Sequence, residues 1–309
     1  MRTLTLIIFS VLFLGNLYAQ NTFEFLRLDQ SPRAAALAGS FVATNDDPNV
    51  VFYNPAGINL LEKRPASFSF LKHLLDINSA SLTYSQNFEG IGRFAASLQY
   101  IHYGTFTQAN EFGEKLGSFG AGEVAFSIAY GNELSDNFYY GVSTKFIYSS
   151  IADRYSTGIA FDFGLQYVIP QQNWSFGLSV LNVGTQIQKY FNTTENLPLD
   201  VRIGFKKKLE HLPLTIFASL NNLSDKENSF SDIFKNFTFG GEFKLSKSLR
   251  FRLGYDNQKR RDLKIGSTAG LAGFNIGIGL TVSDYIVDYA FSSMGSIGGL
   301  HRIGITTSF

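Results

Sequence analysis

The chain has no cysteine, and only two methionines, one tryptophan and seven prolines in 309 residues. Without cysteine there is no disulfide framework and no thiolate metal site. With so little proline, long extended stretches can run without an obligatory break. Neither charge is in surplus, with 26 basic against 25 acidic residues. A nucleic-acid partner would need a basic excess gathered on one face. The two short cationic runs, KKK at 206–208 and KRR at 259–261, read instead as solvated loop or strand-end charges. Past residue 19 there is no run of about 18 apolar residues, so no transmembrane helix is expected.

What is abundant points elsewhere. Phe 31, Tyr 15 and Gly 29 make a chain rich in strand formers. MRTLTLIIFSVLFLGNLYA carries a cation at Arg2, an apolar run from Leu4 to Leu14 and a small residue at Ala19. That is the pattern of a secretory signal, so residues 1–19 are expected to be removed and the mature chain to start near Gln20. Losing Arg2 would bring the mature net charge to zero.

From residue 65 the hydropathy alternates with a period of two. Phe94, Ala96, Leu98 and Tyr100 oppose Ala95, Ser97 and Gln99; Phe161, Phe163, Leu165 and Tyr167 oppose Asp162 and Gln166. About fourteen such segments fill residues 65–309. Most run about nine to fifteen residues, and a tilted strand needs about 9–11 to cross a bilayer. Short connections near 88, 131, 170, 211, 246 and 283 alternate with longer polar ones after 103, 184 and 256 and at 224–234. Short turns at one end and long loops at the other mark a transmembrane antiparallel β-barrel. An even strand count puts both ends of the barrel on the short-turn side, expected to be periplasmic. About eight strands already enclose a packed interior, so fourteen require the small and polar face, with Arg250 and Arg252, to line a lumen. The aromatic face then meets lipid. Residues 301–309 alternate to the end, with Arg302 and Gly304 on one parity and a terminal aromatic at Phe309. This stretch resembles the C-terminal signal read by the barrel-assembly machinery, and the last strand is expected to close on the first.

Residues 20–64 do not alternate. SPRAAALAG (31–39) reads as a short helix, with Ser31 as N-cap, Pro32 in the first turn and Gly39 as the stop. NDDPN (45–49) and YNPAG (53–57) are Asn/Asp-Pro turn clusters. With no core of its own, this segment is expected to enter the lumen as a plug. Its candidate residues are Arg33, Asn45, Asp46, Asp47, Asn54, Pro55 and Gly57; Asp46 and Asp47 read as turn caps rather than a calcium loop. The four histidines, His73, His102, His211 and His301, share no metal-ligand spacing. His301 reads as a lumen or interface hydrogen-bonding group. No phosphate loop or nucleophile elbow is present. No catalytic residue, metal or cofactor is assigned.

LRLDQSPRAAALAGSFVATNDDPNVVFYNPAGINLL (26–61) resembles the N-terminal block of the PorV/PorQ family, and VDYAFSSMGSIGGLHRIGI (287–305) resembles its C-terminal block. That family belongs to the wider group of FadL-like channels. The resemblance implies an outer-membrane barrel of the type IX protein secretion system, which binds or anchors secreted or surface-attachment proteins. The compact length is closer to the PorQ-like members. Its implied partners are outer-membrane lipid, the barrel-assembly machinery and other secretion-system proteins. The alternative is a FadL-like channel for hydrophobic small molecules, which predicts an apolar pocket touching the plug and a lateral gap in the wall.

Overall fold

The computed structural model describes residues 21–224, 234–264 and 270–309. The expected signal segment lies outside the described residues. Fourteen strands follow one another: β1 (Pro65–Lys72), β2 (Asn78–Phe88), β3 (Gly92–Ala109), β4 (Lys115–Ser135), β5 (Phe138–Ile151), β6 (Arg154–Ile169) and β7 (Trp174–Gln188) make the first half. The second half is β8 (Asp200–Lys208), β9 (Leu214–Leu220), β10 (Phe237–Lys244), β11 (Leu249–Asp256), β12 (Phe274–Val282), β13 (Tyr285–Ser293) and β14 (Gly299–Ser308). Each pairs antiparallel with its neighbours in sequence, and β14 returns to β1 with Ser308 opposite Pro65. Closure leaves no open edge, as hydrocarbon demands, because lipid cannot satisfy free backbone groups. Both ends of the barrel fall at one rim, called here the turn side; the opposite rim is the loop side.

The parity read from the sequence sets the two faces. Phe68, Phe70, Leu82, Tyr100, Phe126, Phe146, Phe163 and Ile303 are exposed on the outer wall, while Ser67, Ser69, Ser81, Gln99, Ser127 and Arg302 are buried inside it. Aromatic rings gather at both rims, as expected where a barrel leaves the bilayer. Phe94 and Tyr130 pair on the turn side with centroids 5.1 Å apart, and Tyr255 and Phe274 pair on the loop side at 5.1 Å. Among the described residues no helix is long and apolar enough to cross a membrane.

Strand lengths depart from the expected range at both extremes. The stretch read as a long loop at 104–117 is mostly strand. β3 and β4 continue past the rim as a two-stranded ribbon, Thr105 opposite Gly120 and Gln108 opposite Gly117. One aromatic pair reinforces the backbone ladder there, Phe106 stacked on Phe119 with ring centroids 5.4 Å apart, but the Thr, Gly, Ser and Gln around it set no repeating apolar face, so hydropathy does not announce the pairing. β9, in contrast, has only seven residues. The polar stretch after 256 begins with a short helix, α2 (Asn257–Asp262), capped by the Asp256 side chain.

Residues 21–64 sit inside the barrel. Helix α1 (Pro32–Ala36) has the Ser31 side chain accepting from the Ala34 amide, and Gly39, at φ 74°, ends the turn with its amide on the Ala34 carbonyl at 2.9 Å. Two 3₁₀ turns follow, Pro48–Phe52 capped by Asp47 and Pro55–Leu60 capped by Asn54. In each, proline sits in the first turn, where its missing N–H costs nothing. Inward glycines let the wall approach this segment closely: a Cβ at Gly141 would run into the Pro55 carbonyl group, and one at Gly164 into the Asn54 side chain.

Candidate functional site

The plug is tied to the wall by ions near the turn side. Arg33 forks onto Glu242 of β10, with Nε and Nη2 donating to the two carboxylate oxygens at 2.9 Å each. Bidentate pairing of this kind is both strong and directional. The other side of Arg33 meets Asp46 at 3.1 Å and Asp47 at 3.6 Å. Glu242 is shared with Arg252 of β11 at 2.6 Å, and Arg252 reaches Asp288 of β13 at 2.5 Å. Arg252 is 1% exposed, and the two acids that face it balance its buried charge. On the other flank Lys206 joins Asp46 at 3.2 Å and donates to the Asn45 amide oxygen at 2.8 Å. Burial alone would raise the Asp46 carboxyl; Arg33 and Lys206 overcome that and hold it well below the usual carboxylate range. Asp47 is raised by burial, with Arg33 and the Asn49 amides opposing.

The structure corrects one sequence reading, that of Asp46, and narrows another, that of His301, whose hydrogen-bonding role stands. Asp47 is a turn cap, accepting from the Asn49 amide at 2.9 Å, but Asp46 is an ion-pair partner with no capping bond. Both carboxylates reach Arg33, yet only Asp47 also turns an oxygen to the Asn49 amide, and sequence spacing does not say which of two adjacent acids does so. His301 lies on the outer wall rather than in the lumen, with its Nδ1 2.8 Å from the Tyr289 hydroxyl. Asn54, besides capping its turn, donates to the Val42 and Leu165 carbonyls at 2.8 and 3.1 Å. A Cβ at Gly57 would lie 2.6 Å from both the Thr44 carbonyl and Val50. Arg250 sits at the turn-side end of β11, half-buried, and donates to Thr281 at 3.1 Å. Gly304 faces Pro32 of the plug, and Phe309 exchanges backbone hydrogen bonds with Arg64.

A second ionic group lies near the loop side. Asp29 receives Lys259 of α2 at 3.2 Å and the Tyr53 hydroxyl at 3.2 Å, and its backbone carbonyl accepts from Arg302 at 2.7 Å. Burial would raise the Asp29 carboxyl, but Lys259, Arg302 and Arg202 bring it below its ordinary value. None of Asp29, Glu242, Asp288 or Lys259 carries a signal in the sequence beyond its charge and parity. Among the described residues no group of three or more His, Asp or Glu side chains is placed to hold a metal ion.

Two cavities open at this end. One, of about 310 Å³, lies between the plug, the β1–β2 loop and the β13–β14 loop. Leu28, Leu74, Leu75, Ile77, Met294 and Leu300 form its apolar wall, with His73 and Arg302 on its polar side. Burial pushes the His73 imidazole down to about 4, with Arg302 adding to the shift. The other cavity, of about 230 Å³, is polar and lies beneath α2, lined by Arg202, Asn221, Asp256 and Gln258 among others.

Comparison with known proteins shows the fold. The Ralstonia pickettii toluene transporter TbuX superposes with a TM-score of 0.59 at 14% identity, covering 90% of this chain and 98% of that one. The Pseudomonas putida toluene transporter TodX gives 0.58 at 12% identity over 89% and 98%. A Pseudomonas aeruginosa FadL homologue gives 0.55 at 11% identity over 89% and 96%. No family model and no curated protein matches the chain. The barrel thus has a FadL-like fold.

Proposed function

We propose that this barrel takes up a small, largely apolar molecule through the loop-side cavity, with the loop side facing the outside of the cell and both ends of the barrel facing the periplasm. The observation that carries the reading is the leucine-lined cavity of about 310 Å³ resting on the plug. Concave sites of this size, mostly apolar with a few placed polar groups, are the usual form of a small-molecule site. The barrel shares its fold with proteins described as toluene transporters, which supports this choice over the others. The test is a titration of the protein in lipid nanodiscs with toluene, beside uptake of the same probe by cells with and without the gene. Saturable binding that Leu74→Asp abolishes, with slower uptake on gene loss, is expected. No binding by the parent protein and unchanged uptake would end the reading.

A second reading rests on the PorV/PorQ-like blocks and on the β3–β4 ribbon, whose tip carries Phe112 at 82% exposure. A plugged barrel bearing a projecting ribbon suits a platform for secreted or surface-attachment proteins of a type IX system. Here a pull-down of the detergent-extracted protein should retain exported proteins, and removal of residues 106–118 should release them while the barrel still forms. A pull-down without any exported protein would remove this reading and leave the first untouched.

A further inference from the structure

The apolar cavity and the polar chamber under α2 share three lining residues, Arg27, Asp29 and Lys259. The Lys259–Asp29 ion pair, 3.2 Å long, therefore stands in their common wall, and the Lys259 side chain is 38% exposed. A partly exposed pair at a loop helix is a weak barrier. From this we infer that the two cavities are the two halves of one bipartite site, and that its ligand is an amphiphile with a short alkyl or aryl body and an uncharged, hydroxyl-rich head. The inference rests on the proposed uptake function and specifies what would be taken up.

The chemistry of the head follows from the chamber. Its cations, Arg27, Arg202 and Lys259, equal in number its acids, Asp29, Asp256 and Asp262. All three cations are already committed. Arg202 is held by Asp200 at 2.6 Å, Arg27 donates to the Leu199 carbonyl at 2.6 Å, and Lys259 meets Asp29 and Asp256 at 3.2 and 3.4 Å. Arg302, at the floor of the apolar half, is likewise taken by the Asp29 carbonyl and by Ser292 at 2.8 Å. A carboxylate head would find no unpaired cation and would face three acids. A cationic head would face as many cations as acids. Hydroxyl groups both donate and accept, so they can use the acids, the guanidinium edges and the amides of Asn221, Asn222 and Gln258 without breaking the charge balance. The body goes into the leucine-lined half, where no charge needs to be matched.

The probes are n-octyl-β-D-glucoside below its micelle concentration, octanoate and toluene, titrated calorimetrically into the protein in lipid nanodiscs. Octyl glucoside is expected to bind about tenfold or more tightly than octanoate, the difference of one or two good hydrogen bonds. Gln258→Trp fills the polar half and should weaken octyl glucoside about tenfold while leaving toluene unchanged. Leu74→Trp fills the apolar half and should weaken both. Asn221→Leu removes a head partner without adding bulk, and serves if the tryptophan variant does not fold. Octanoate binding as tightly as the glucoside, or glucoside affinity untouched by both polar-half variants, overturns the bipartite site and leaves the apolar cavity standing. Failure of toluene and octyl glucoside alike to bind the parent protein overturns both the inference and the uptake reading beneath it.

Discussion

The plug meets two walls of opposite character. Toward β6, β7 and β10 it is fastened. Gln166 and Ser175 donate to the Ala43 carbonyl at 3.0 and 2.9 Å, Ser179 to the Tyr53 carbonyl at 2.7 Å, Ser40 to Thr238 at 2.7 Å, and Arg33 forks onto Glu242. Toward β1 and β2 two hydrogen bonds cross among the described residues, Asn49 to Ser67 at 3.0 Å and Ser79 to Gln30 at 3.3 Å. Ser69, Ser81 and Thr83 on that wall are as buried as Ser175 and Ser179 on the other, yet their hydroxyls have no protein partner. Equal burial thus hides unequal attachment. A hydroxyl bonded to the plug contributes free energy to its attachment and one without a bond to the plug contributes none, so the plug is anchored from one side and merely rests on the other.

The largest effect should come from cutting the anchor. Arg252→Leu leaves Glu242 with Arg33 alone and takes from Asp288 its ion-pair partner Arg252, and breaking a buried pair in this way costs about 3–5 kcal/mol. Thermal unfolding of the detergent-extracted barrel should show the loss; an unchanged midpoint would mean the network does not hold the plug. Next is Gly164→Leu, which drives a side chain into Asn54. Overpacking of this kind costs about 1–3 kcal/mol, and it should expose residues 45–60 to protease while the barrel strands stay protected.

The pH dependence separates the anchors by region. Asp29 and Asp46, held below the ordinary 3.8, contribute in full above that value, and their contribution is lost as pH falls through their depressed values. His73, pushed down to about 4 from 6.5, must stay neutral in the closed arrangement. Its contribution is complete above pH 6.5 and fades between 6.5 and about 4. Asp47, raised by burial, works the other way and costs stability once ionised. Protease accessibility of the plug should therefore rise in two stages on acidification. His73→Leu should erase the first stage and leave the second.

The smallest effect sharpens the comparison most. Ser179→Ala should cost about 1 kcal/mol, the worth of a net hydrogen bond. Ser81→Ala, equally buried, should be near neutral or slightly stabilising. Equal losses at the two positions, read from paired melting curves, would erase the distinction between the walls.

Much of this protein is legible in residue order because lipid imposes a simple rule on it. Alternation from Phe94 to Tyr100 and from Phe161 to Tyr167 shows which face meets hydrocarbon, since only one parity can be apolar. Ser31, Asp47 and Asn54 announce their turns because capping is local, acting within two or three residues. The ribbon beyond Gly104 escapes such reading, because its Phe106–Phe119 pair does not recur as an alternating apolar face. The partners of Arg33 escape it too: Glu242 lies 209 residues away, and nothing in either neighbourhood marks the pair.

Strand number, the sense of each face and the turns of the plug were thus determined by the sequence alone, because each depends on nearest neighbours and on the medium around them. Which wall holds the plug, which glycines make room for it and where the two cavities meet were decided only by the tertiary structure. Those features arise when closure of the barrel brings distant strands around one short segment, and no local pattern encodes which of many charges and hydroxyls will then stand opposite it.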